Sequence, residues 1–404
     1  MMWTKAKIGD CCEITSSKRI FFSEYVESGI PFYRSKEIIE LSNCQEISDP
    51  LYISESKYDE IAHKFGIPQP GDMLLTSVGT IGIPYIVKEK DTFYFKDGNL
   101  TWFRNFNEGL DSRYLFYWVK SAEGQGVLNN TTIGSSQKAL TIAALKDLKI
   151  LCPPIGIQNR IVEILTSYDD LIENNQKQIK LLEEAAQRLY KEWFVDLRFP
   201  GHENTKITDG VPERWRKYKF SDITSIMSGG TPKTDVKEFY NGNIPFYTPK
   251  DSGDSFFAFD TITHISQSGL DNCNSQLYPV NTIIITARGT VGKTTILAVP
   301  MAMNQSCYAL KCDELNSPYY LFFSLKNEVA ALKTMSNGGV FNTIIVKTFD
   351  SICLIAPTQD VLNMFEASVS PIMEQIKTKA RQNIILTEAR DRLLPKLMSG
   401  EIEL

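Results

Sequence analysis

The sequence contains the same pattern twice, and this internal repeat restricts the possible folds more than any other feature. The segment "IPFYRSKEI" at 30–38 returns as "IPFYTPKDS" at 244–252. The segment "MLLTSVGTIGIPYIV" at 73–87 likewise aligns with "IIITARGTVGKTTIL" at 283–297. A pattern that recurs at a nearly constant interval indicates a duplicated structural unit. The chain is therefore predicted to fold as two related halves.

Each half begins with β-rich sequence and ends with helical sequence. Short apolar segments separated by Gly, Pro, Asn and Asp come first, which is typical of strands joined by turns. A matching apolar segment follows in both halves, "YLFYWVK" at 114–120 and "YLFFSLK" at 320–326. A long helical pattern then ends each half. This order predicts the α+β class, with two β-rich domains that are each followed by one long helix.

The two helical segments carry heptad repeats of apolar residues, over 161–193 and 362–397. Two such helices in one chain are predicted to pair as an antiparallel coiled coil, with the β-rich domains at its opposite ends in a pseudo-two-fold arrangement. Asn175 and Asn383 interrupt the apolar series and are predicted to set the register. The alternative is a spacer or dimerisation element without a ligand. The predicted apolar positions are Ile161, Leu165, Tyr168, Ile172, Ile179, Leu182, Ala186, Leu189 and Trp193 in the first helix, and Phe365, Val369, Ile372, Ile376, Leu386 and Leu393 in the second.

Length and composition narrow the class of protein. The 404 residues exceed the size of one ordinary core, and 43% hydrophobic with 23% charged residues is an ordinary globular composition. No stretch resembles a membrane span or a signal peptide, which predicts a cytoplasmic protein with no membrane partner. The net charge of −5 argues against a nonspecific DNA-coating protein. It is compatible with sequence-specific DNA binding, which needs only local Lys and Arg.

The segment "GTVGKTT" is similar to a phosphate-binding P-loop, which makes a P-loop NTPase an alternative function. A P-loop places its first glycine five positions before the Gly-Lys pair, but Ala287 occupies that position and Gly289 comes two residues late. In the other copy of the repeat, Ile83 stands where Lys293 would be needed. The spacing therefore disfavours nucleotide binding.

Residues that could support catalysis or bind a metal are sparse. The chain has eight cysteines and three histidines, without the spacing of a zinc site. The nearest match to the Asp/Asn-Pro-Pro-aromatic motif of amino methyltransferases begins at Asp49, but Leu51 replaces the second proline. A turn is the better interpretation of this Asp-Pro pair. The sequence therefore predicts no catalytic residue and no cofactor bound by this chain.

Two tail motifs connect the chain with a known family. The segments "RLYKEWFVDLRFPGHE" at 188–203 and "RLLPKLMSGEIEL" at 392–404, together with the repeated Gly-Thr-hydrophobic-Gly turn, resemble the specificity subunit of type I restriction-modification enzymes. The resemblance covers essentially the whole chain. It implies two target-recognition domains that each read half of a bipartite double-stranded DNA sequence. It divides the chain into recognition domain 1 (1–153), a central helical region (154–198), recognition domain 2 (199–356) and a C-terminal helical region (357–404).

The same resemblance implies partners for a noncatalytic recognition subunit. Two DNA adenine methyltransferase subunits would bind the helical regions, and motor-nuclease subunits would join in the full complex. S-adenosylmethionine, ATP and Mg²⁺ are then expected on those partners. A coiled-coil adaptor that holds proteins without touching DNA remains the alternative from another class.

Candidate DNA-reading residues lie on polar loops between the predicted strands. Arg and Lys suit guanine and phosphate, Asn and Gln suit adenine, and Ser and Thr suit phosphate. The first half offers Lys18, Arg19, Tyr33, Arg34, Lys36, Ser77, Thr80, Gln137 and Lys138. The second half offers Thr231, Lys233, Tyr247, Lys250, Arg288, Thr290, Lys293 and Asn342.

Overall fold

A computed structural model describes residues 3–132, 138–312, 315–335 and 343–404. The chain forms two compact units. The first unit comprises Met1–Glu173 and Ile385–Leu404, and the second comprises Asn174–Ile384. The boundaries expected from the sequence fall before each long helix, whereas the compact units divide each long helix between them, because the two parts of one helix pack against different β-rich cores.

The described residues of the first unit form ten strands, which follow the expected short apolar segments. Strands β6 (Met73–Thr76) of the first unit and β18 (Ile283–Thr286) of the second are buried at every position, which explains their continuous apolar sequences. The strands of the first unit are β1 (Thr4–Lys7), β2 (Glu13–Thr15), β3 (Tyr25–Val26), β4 (Ile30–Tyr33), β5 (Leu51–Ile53), β6 (Met73–Thr76), β7 (Pro84–Ile86), β8 (Tyr94–Phe95), β9 (Leu100–Arg104) and β10 (Lys149–Cys152). Its helices are α1 (Ile8–Cys11), α2 (Ser35–Ser42), α3 (Glu55–Phe65), α4 (Ser112–Lys120), α5 (Ala122–Thr131), α6 (Ile142–Asp147) and the start of α7 (Ile155–Tyr190).

The second unit repeats this order of elements. Its strands are β11 (Ile207–Thr208), β12 (Val211–Pro212), β13 (Arg216–Lys219), β14 (Thr224–Ser228), β15 (Ile244–Tyr247), β16 (Phe257–Ala258), β17 (His264–Ile265), β18 (Ile283–Thr286), β19 (Thr294–Leu297), β20 (Ala302–Met303), β21 (Cys307–Cys312) and β22 (Cys353–Ala356). Its helices are α8 (Phe220–Ile223), α9 (Gln267–Asp271), α10 (Pro318–Met335), α11 (Val346–Ser351) and most of α12 (Gln359–Ser399), and a π-helical turn (Lys191–Val195) continues α7.

The sheets of the two units have corresponding strand orders. In the first unit the main sheet is β2-β9-β6-β7, and in the second it is β14-β21-β18-β19-β16. A smaller sheet, β3-β5-β4-β8, corresponds to β17-β15-β20, and in both the β4 or β15 strand has one parallel neighbour. The pair β1-β10 corresponds to β13-β22. The predicted α+β repeat is therefore confirmed at the level of strand pairing.

The long helices pair in antiparallel fashion within each unit. In the second unit Asn175 Nδ2 donates to Asn383 Oδ1 at 3.0 Å, while Tyr190 lies 6.4 Å from Phe365 between ring centroids. In the first unit Asp169 of α7 pairs with Arg390 of α12. The two asparagines thus meet in the helix pair, as a register-setting role requires.

The buried face of α12 is wider than the predicted seam. Met373 and Leu394 are buried, whereas the predicted Ile372 and Leu393 are only half-buried. The reason is that α12 packs against a β-rich core as well as against α7, so a strict two-position heptad does not describe it. In the described parts of the chain, no helix is long and apolar enough to cross a membrane.

Candidate nucleic-acid interface

The repeated Gly-Thr turn (residues 76–83 and 286–293) has the same backbone in both units. Gly79, Gly82, Gly289 and Gly292 have φ angles of 80°, 83°, 76° and 76°. This left-handed region strongly favours glycine. Each turn joins two antiparallel strands, β6 to β7 and β18 to β19. The duplication has therefore kept glycine where the turn requires it.

One buried threonine closes each turn. The N–H of Ile83 donates to Thr76 Oγ1 at 2.9 Å, and the N–H of Lys293 donates to Thr286 Oγ1 at 3.0 Å. The N–H of Gly82 and that of Gly292 donate to the carbonyl oxygens of the same two threonines, each at 2.8 Å. A P-loop would instead direct these N–H groups at a phosphate and continue into a helix. The turn therefore lacks the geometry of a nucleotide site.

In the first unit, the loop at residues 97–99 connects several candidate DNA-reading segments. The N–H of Ser77 donates to the carbonyl of Asn99 at 2.8 Å, and Ser35 Oγ donates to the same oxygen at 3.4 Å. Arg19 Nε donates to Asp97 Oδ2 at 2.9 Å. We call residues 97–99 the first anchor loop. It brings the segments near 19, 35 and 77 into one surface region.

The second unit has the same arrangement at residues 304–306, the second anchor loop. The N–H of Ala287 donates to the carbonyl of Ser306 at 2.7 Å, as Ser77 does to Asn99. The N–H of Asn304 donates to the carbonyl of Tyr247 at 2.9 Å. Thr231, aligned with Arg19, donates its hydroxyl to Gln305. Each unit therefore uses one anchor loop to hold its candidate segments together.

A further backbone contact adds the last candidate segment in each unit. The N–H of Leu140 donates to the carbonyl of Ser77 at 2.9 Å, and Val78 forms a β-bridge with Ala139. The N–H of Ile344 likewise donates to the carbonyl of Ala287 at 2.9 Å. The candidates Gln137 and Asn342 in these segments lie outside the described residues, whereas Lys138 is described and exposed.

The candidate side chains differ in exposure. Most are exposed and can reach a ligand, three are half-buried, and two are buried. Exposed are Lys18, Arg19, Lys36, Thr80, Lys138, Thr231, Lys233, Lys250, Arg288 and Thr290; half-buried are Tyr33, Arg34 and Lys293; buried are Ser77 and Tyr247.

Ser77 and Tyr247 have structural contacts in this conformation. Ser77 Oγ shares a hydrogen bond of 2.6 Å with Thr101 Oγ1, and its backbone forms the anchor-loop contacts. Tyr247 is 1% exposed, and burial raises the pKa of its hydroxyl. Both side chains are buried and stabilise the loops, whereas neighbouring exposed residues present polar atoms to solvent.

Four of the candidate cations already have acidic partners. Arg19 pairs with Asp97, Arg34 with Glu37, Lys36 with Glu40, and Lys293 with Asp254. DNA phosphates would have to compete with these carboxylates. Such exchange is easiest for exposed pairs, which are worth little in water.

The Arg34 pair has a clear structural role. Glu37 is fully buried and accepts the backbone N–H of Arg34 at 2.7 Å, so it also caps the start of α2. Burial raises the pKa of Glu37, but bonds from the side chain and the N–H of Arg34 outweigh this effect and hold the pKa below its ordinary value. Arg34 therefore stabilises α2 as well as lying near the candidate surface.

Sequence reasoning missed the anchor loops. Asn99 and Gln305 are central to them, and Gln305 is exposed with an amide that suits adenine. A signal existed in the alignment, because "FKDGNL" and "MNQSCY" both place a short polar loop between two apolar strands of each half. Neither anchor loop contains Lys or Arg, the residue types that mark the other candidate segments.

The fold and the site define a duplicated protein, in which each unit presents a set of polar loops on the same arrangement of strands and turns. The family model of the type I restriction modification DNA specificity domain matches residues 2–184 and again residues 212–361. These two matches cover most of the chain, which therefore belongs to this family.

Individual relatives agree with this assignment. The chain is 28% identical to the type I restriction enzyme MjaIX specificity subunit of Methanocaldococcus jannaschii, over 99% of this chain and 93% of the relative. It is 26% identical to the HindI specificity subunit of Haemophilus influenzae, over 65% and 71%. The crystal structure of a type I restriction-modification S subunit from M. genitalium has the same fold, with a TM-score of 0.62, 16% identity and coverage of 98% and 96%.

Proposed function

We propose that this chain is the DNA-recognition subunit of a type I restriction-modification complex and that each unit reads one half of a bipartite target. The observation that carries the proposal is the repeated anchor-loop arrangement. Both units hold corresponding loop segments together by corresponding backbone hydrogen bonds. A scaffold that is kept while its exposed side chains change is suited to reading two different short sequences.

The exposed side chains differ between the units in the way that two half-sites would require. At aligned positions the first unit has Arg19 where the second has Thr231, and Val78 where the second has Arg288. Arginine can bind guanine through two hydrogen bonds, whereas threonine makes a single polar contact or a methyl contact. We therefore propose that Arg288 and Gln305 contact DNA in the second half-site, and Lys18 and Lys36 in the first.

The long helices offer surfaces for protein partners. Leu171 and Ile385 of the first unit are 52% and 58% exposed, and Leu181 and Ile384 of the second are 65% and 40% exposed. Exposed apolar side chains on paired helices favour contact with another protein. We propose that methyltransferase subunits bind here and that motor-nuclease subunits join the assembly. Those partners would then bind S-adenosylmethionine, ATP and Mg²⁺. Residues 1–153 and 199–356 would be the recognition domains.

Two experiments test the proposal. Mapping methylated adenines in host DNA, with and without this chain, should reveal one bipartite motif that depends on it. A footprint of the chain with its methyltransferase partner should show two short protected blocks separated by an unprotected gap. A single continuous block would contradict the proposal.

A charge-reversal experiment separates recognition from the adaptor alternative. Replacing Lys18, Lys36 and Arg288 together by Glu should strongly weaken DNA binding and reduce its salt dependence. Unchanged DNA affinity, with partner binding intact, would favour a coiled-coil adaptor.

A further inference from the structure

Two adjacent phenylalanines of the first unit project into solvent beside the candidate interface. Phe21 is 62% exposed and Phe22 is 87% exposed. Large aromatic side chains gain considerable free energy from burial, so an exposed pair usually marks a contact surface. The described residues of this unit leave both rings uncovered.

A short helical turn (Phe22–Glu24) holds the pair in place. The N–H of Phe21 donates to Glu24 Oε2 at 2.8 Å, and Glu24 forms an ion pair of 2.9 Å with Lys57 on α3. Residue 20, an isoleucine, is buried immediately before the pair and fixes the chain to the core. The backbone that carries the rings is therefore fastened on both sides.

The ring of Phe22 also rests on a rigid base. It meets Tyr25 edge to face, with ring centroids 5.7 Å apart, and Tyr25 lies 5.4 Å from Phe32. Phe32 is fully buried in strand β4. An exposed ring supported in this way loses little conformational freedom when it contacts a ligand.

Charge and position favour DNA as that ligand. Lys18 and Arg19 lie three and two residues before Phe21 and are exposed, and Arg19 contacts Asp97 of the first anchor loop. The charge of Glu24 is compensated by Lys57. Cations that bind phosphates next to a projecting apolar side chain are the combination that proteins use to bend DNA.

We propose that Phe22, supported by Phe21, is a wedge that inserts between two base pairs of the half-site read by the first unit. The inference rests on the proposed DNA-recognition function. Insertion would unstack one base step, and pyrimidine–purine steps, which deform most easily, would be preferred there. In the second unit the aligned residues are Thr231, Lys233 and Thr234, and the rings of the short helical turn that follows, Phe239 and Tyr240, are half-buried. Only the first half-site should therefore be kinked.

The test uses the full-length chain and duplexes that it selects from a random-sequence pool. 2-Aminopurine is placed at successive positions of both half-sites, because its fluorescence rises when neighbouring bases unstack. The wild-type chain should raise the fluorescence at one step of the first half-site. Phe22→Ala should abolish that rise in fluorescence and weaken DNA binding about 10-fold. Phe22→Leu should keep most of the fluorescence rise and most of the affinity, since leucine also serves as a wedge.

Ile207→Ala provides a control, because Ile207 is an exposed apolar residue, 45% exposed, in the hairpin β11-β12 of the second unit and is part of neither anchor loop. It should leave binding and fluorescence unchanged. If Phe22→Ala binds and unstacks the selected duplex like the wild type, the wedge is wrong while DNA recognition stands. A loss of methyltransferase binding with normal DNA binding would also overturn the wedge. If the wild-type chain selects no duplex, the proposed function itself fails, and the wedge with it.

Discussion

The two units share their loop scaffold but attach it to the long helices by different chemistry. In the first unit, Arg390 of α12 pairs with Asp169 of α7 at 2.5 Å, and the hydroxyl of Tyr117 on α4 donates to the same carboxylate at 2.8 Å. In the second unit, the rings of Phe194 and Phe365 lie 4.9 Å apart. An ion pair with a hydrogen bond therefore joins the helices of the first unit, and an aromatic contact joins those of the second. Both helices also pack in the apolar core of the first unit, and Glu366 of α12 accepts hydrogen bonds in the second.

This difference indicates which parts of the duplicated unit are constrained. The turn glycines and the anchor-loop hydrogen bonds recur in both copies, although the attachment to the helices has diverged. Any contact that fixes the helices can serve for attachment, whereas the loop geometry has to be kept if both copies present side chains to the same kind of ligand.

Loss of one aromatic ring should have the largest effect. Phe365 is fully buried among Phe194, Trp193 and Phe323, so Phe365→Ala should destabilise the second unit by about 4 kcal/mol. Urea unfolding followed by hydrogen exchange in each unit measures this loss, which should vary little with salt. A loss below about 1 kcal/mol would contradict the aromatic attachment.

Loss of the ion pair should destabilise the first unit less, and the loss should depend on salt. Arg390→Met keeps the stem of the side chain but leaves Asp169 with only the more distant Lys120, at 4.0 Å, as a cationic partner. The expected cost is about 2 kcal/mol for a mostly buried pair. Arg392→Met is the control, because Arg392 is 82% exposed and lies 3.8 Å from Glu388. Equal effects of the two substitutions in the same assay would show that Asp169–Arg390 does not fasten this unit.

Much of the fold could be predicted from the sequence because it depends on local patterns. Glycine is required where φ is positive, and Gly82 and Gly292 therefore marked the turn in both halves. An asparagine in an apolar heptad has few alternatives to a polar partner, so the register role assigned to Asn175 and Asn383 agrees with their hydrogen bond.

The site was less predictable because exposure depends on contacts that are distant in sequence. Tyr247 follows the same apolar segment as Tyr33, yet it is buried whereas Tyr33 is half-buried. The pairing of Arg19 with Asp97 joins residues far apart in the chain, and no local pattern predicts it. Residue type identified polar loops, and the tertiary structure decided which side chains face solvent.

The closing threonines should contribute in both turns, and somewhat more in the second, where the Thr286 hydroxyl also donates to the carbonyl of Thr290. Thr76→Val or Thr286→Val leaves the N–H of residue 83 or 293 without its acceptor, at a cost of about 1.5 kcal/mol each. Hydrogen exchange at those N–H groups should accelerate, and Thr→Ser at the same positions should preserve protection. Faster hydrogen exchange in only one of the two units would contradict the structural equivalence of the turns.

The second unit should also show a pH dependence that the substitution Glu183→Gln removes. Burial raises the pKa of Glu183 to about 7, although the N–H of Phe256 and the charge of Lys326 act in the opposite direction. A raised carboxyl pKa stabilises the fold at low pH, and this contribution is lost as pH rises from about 5 through about 7. Relative to Glu183→Gln, the free energy of unfolding of the wild type should fall by about 1 kcal/mol between about pH 5 and pH 8, as thermal unfolding measures. Glu184 is exposed, and Glu184→Gln should show the same pH dependence of stability as the wild type. If Glu183→Gln loses as much stability with pH as the wild type, another group is responsible.

The smallest expected effect is that of the Arg288 charge on the salt dependence of DNA binding, compared with the uncharged Val78 at the aligned position of the first turn. Arg288 is exposed in the second turn, and Val78 occupies the corresponding position in the first. If Arg288 neutralises one DNA phosphate, Arg288→Ala should lower the slope of log affinity against log salt by about 1, which is roughly 0.7 kcal/mol between 50 and 200 mM salt. Val78→Ala should leave the slope unchanged, because valine carries no charge. Equal slopes for the two variants would place Arg288 away from the phosphates and leave base contact or solvent as its environment.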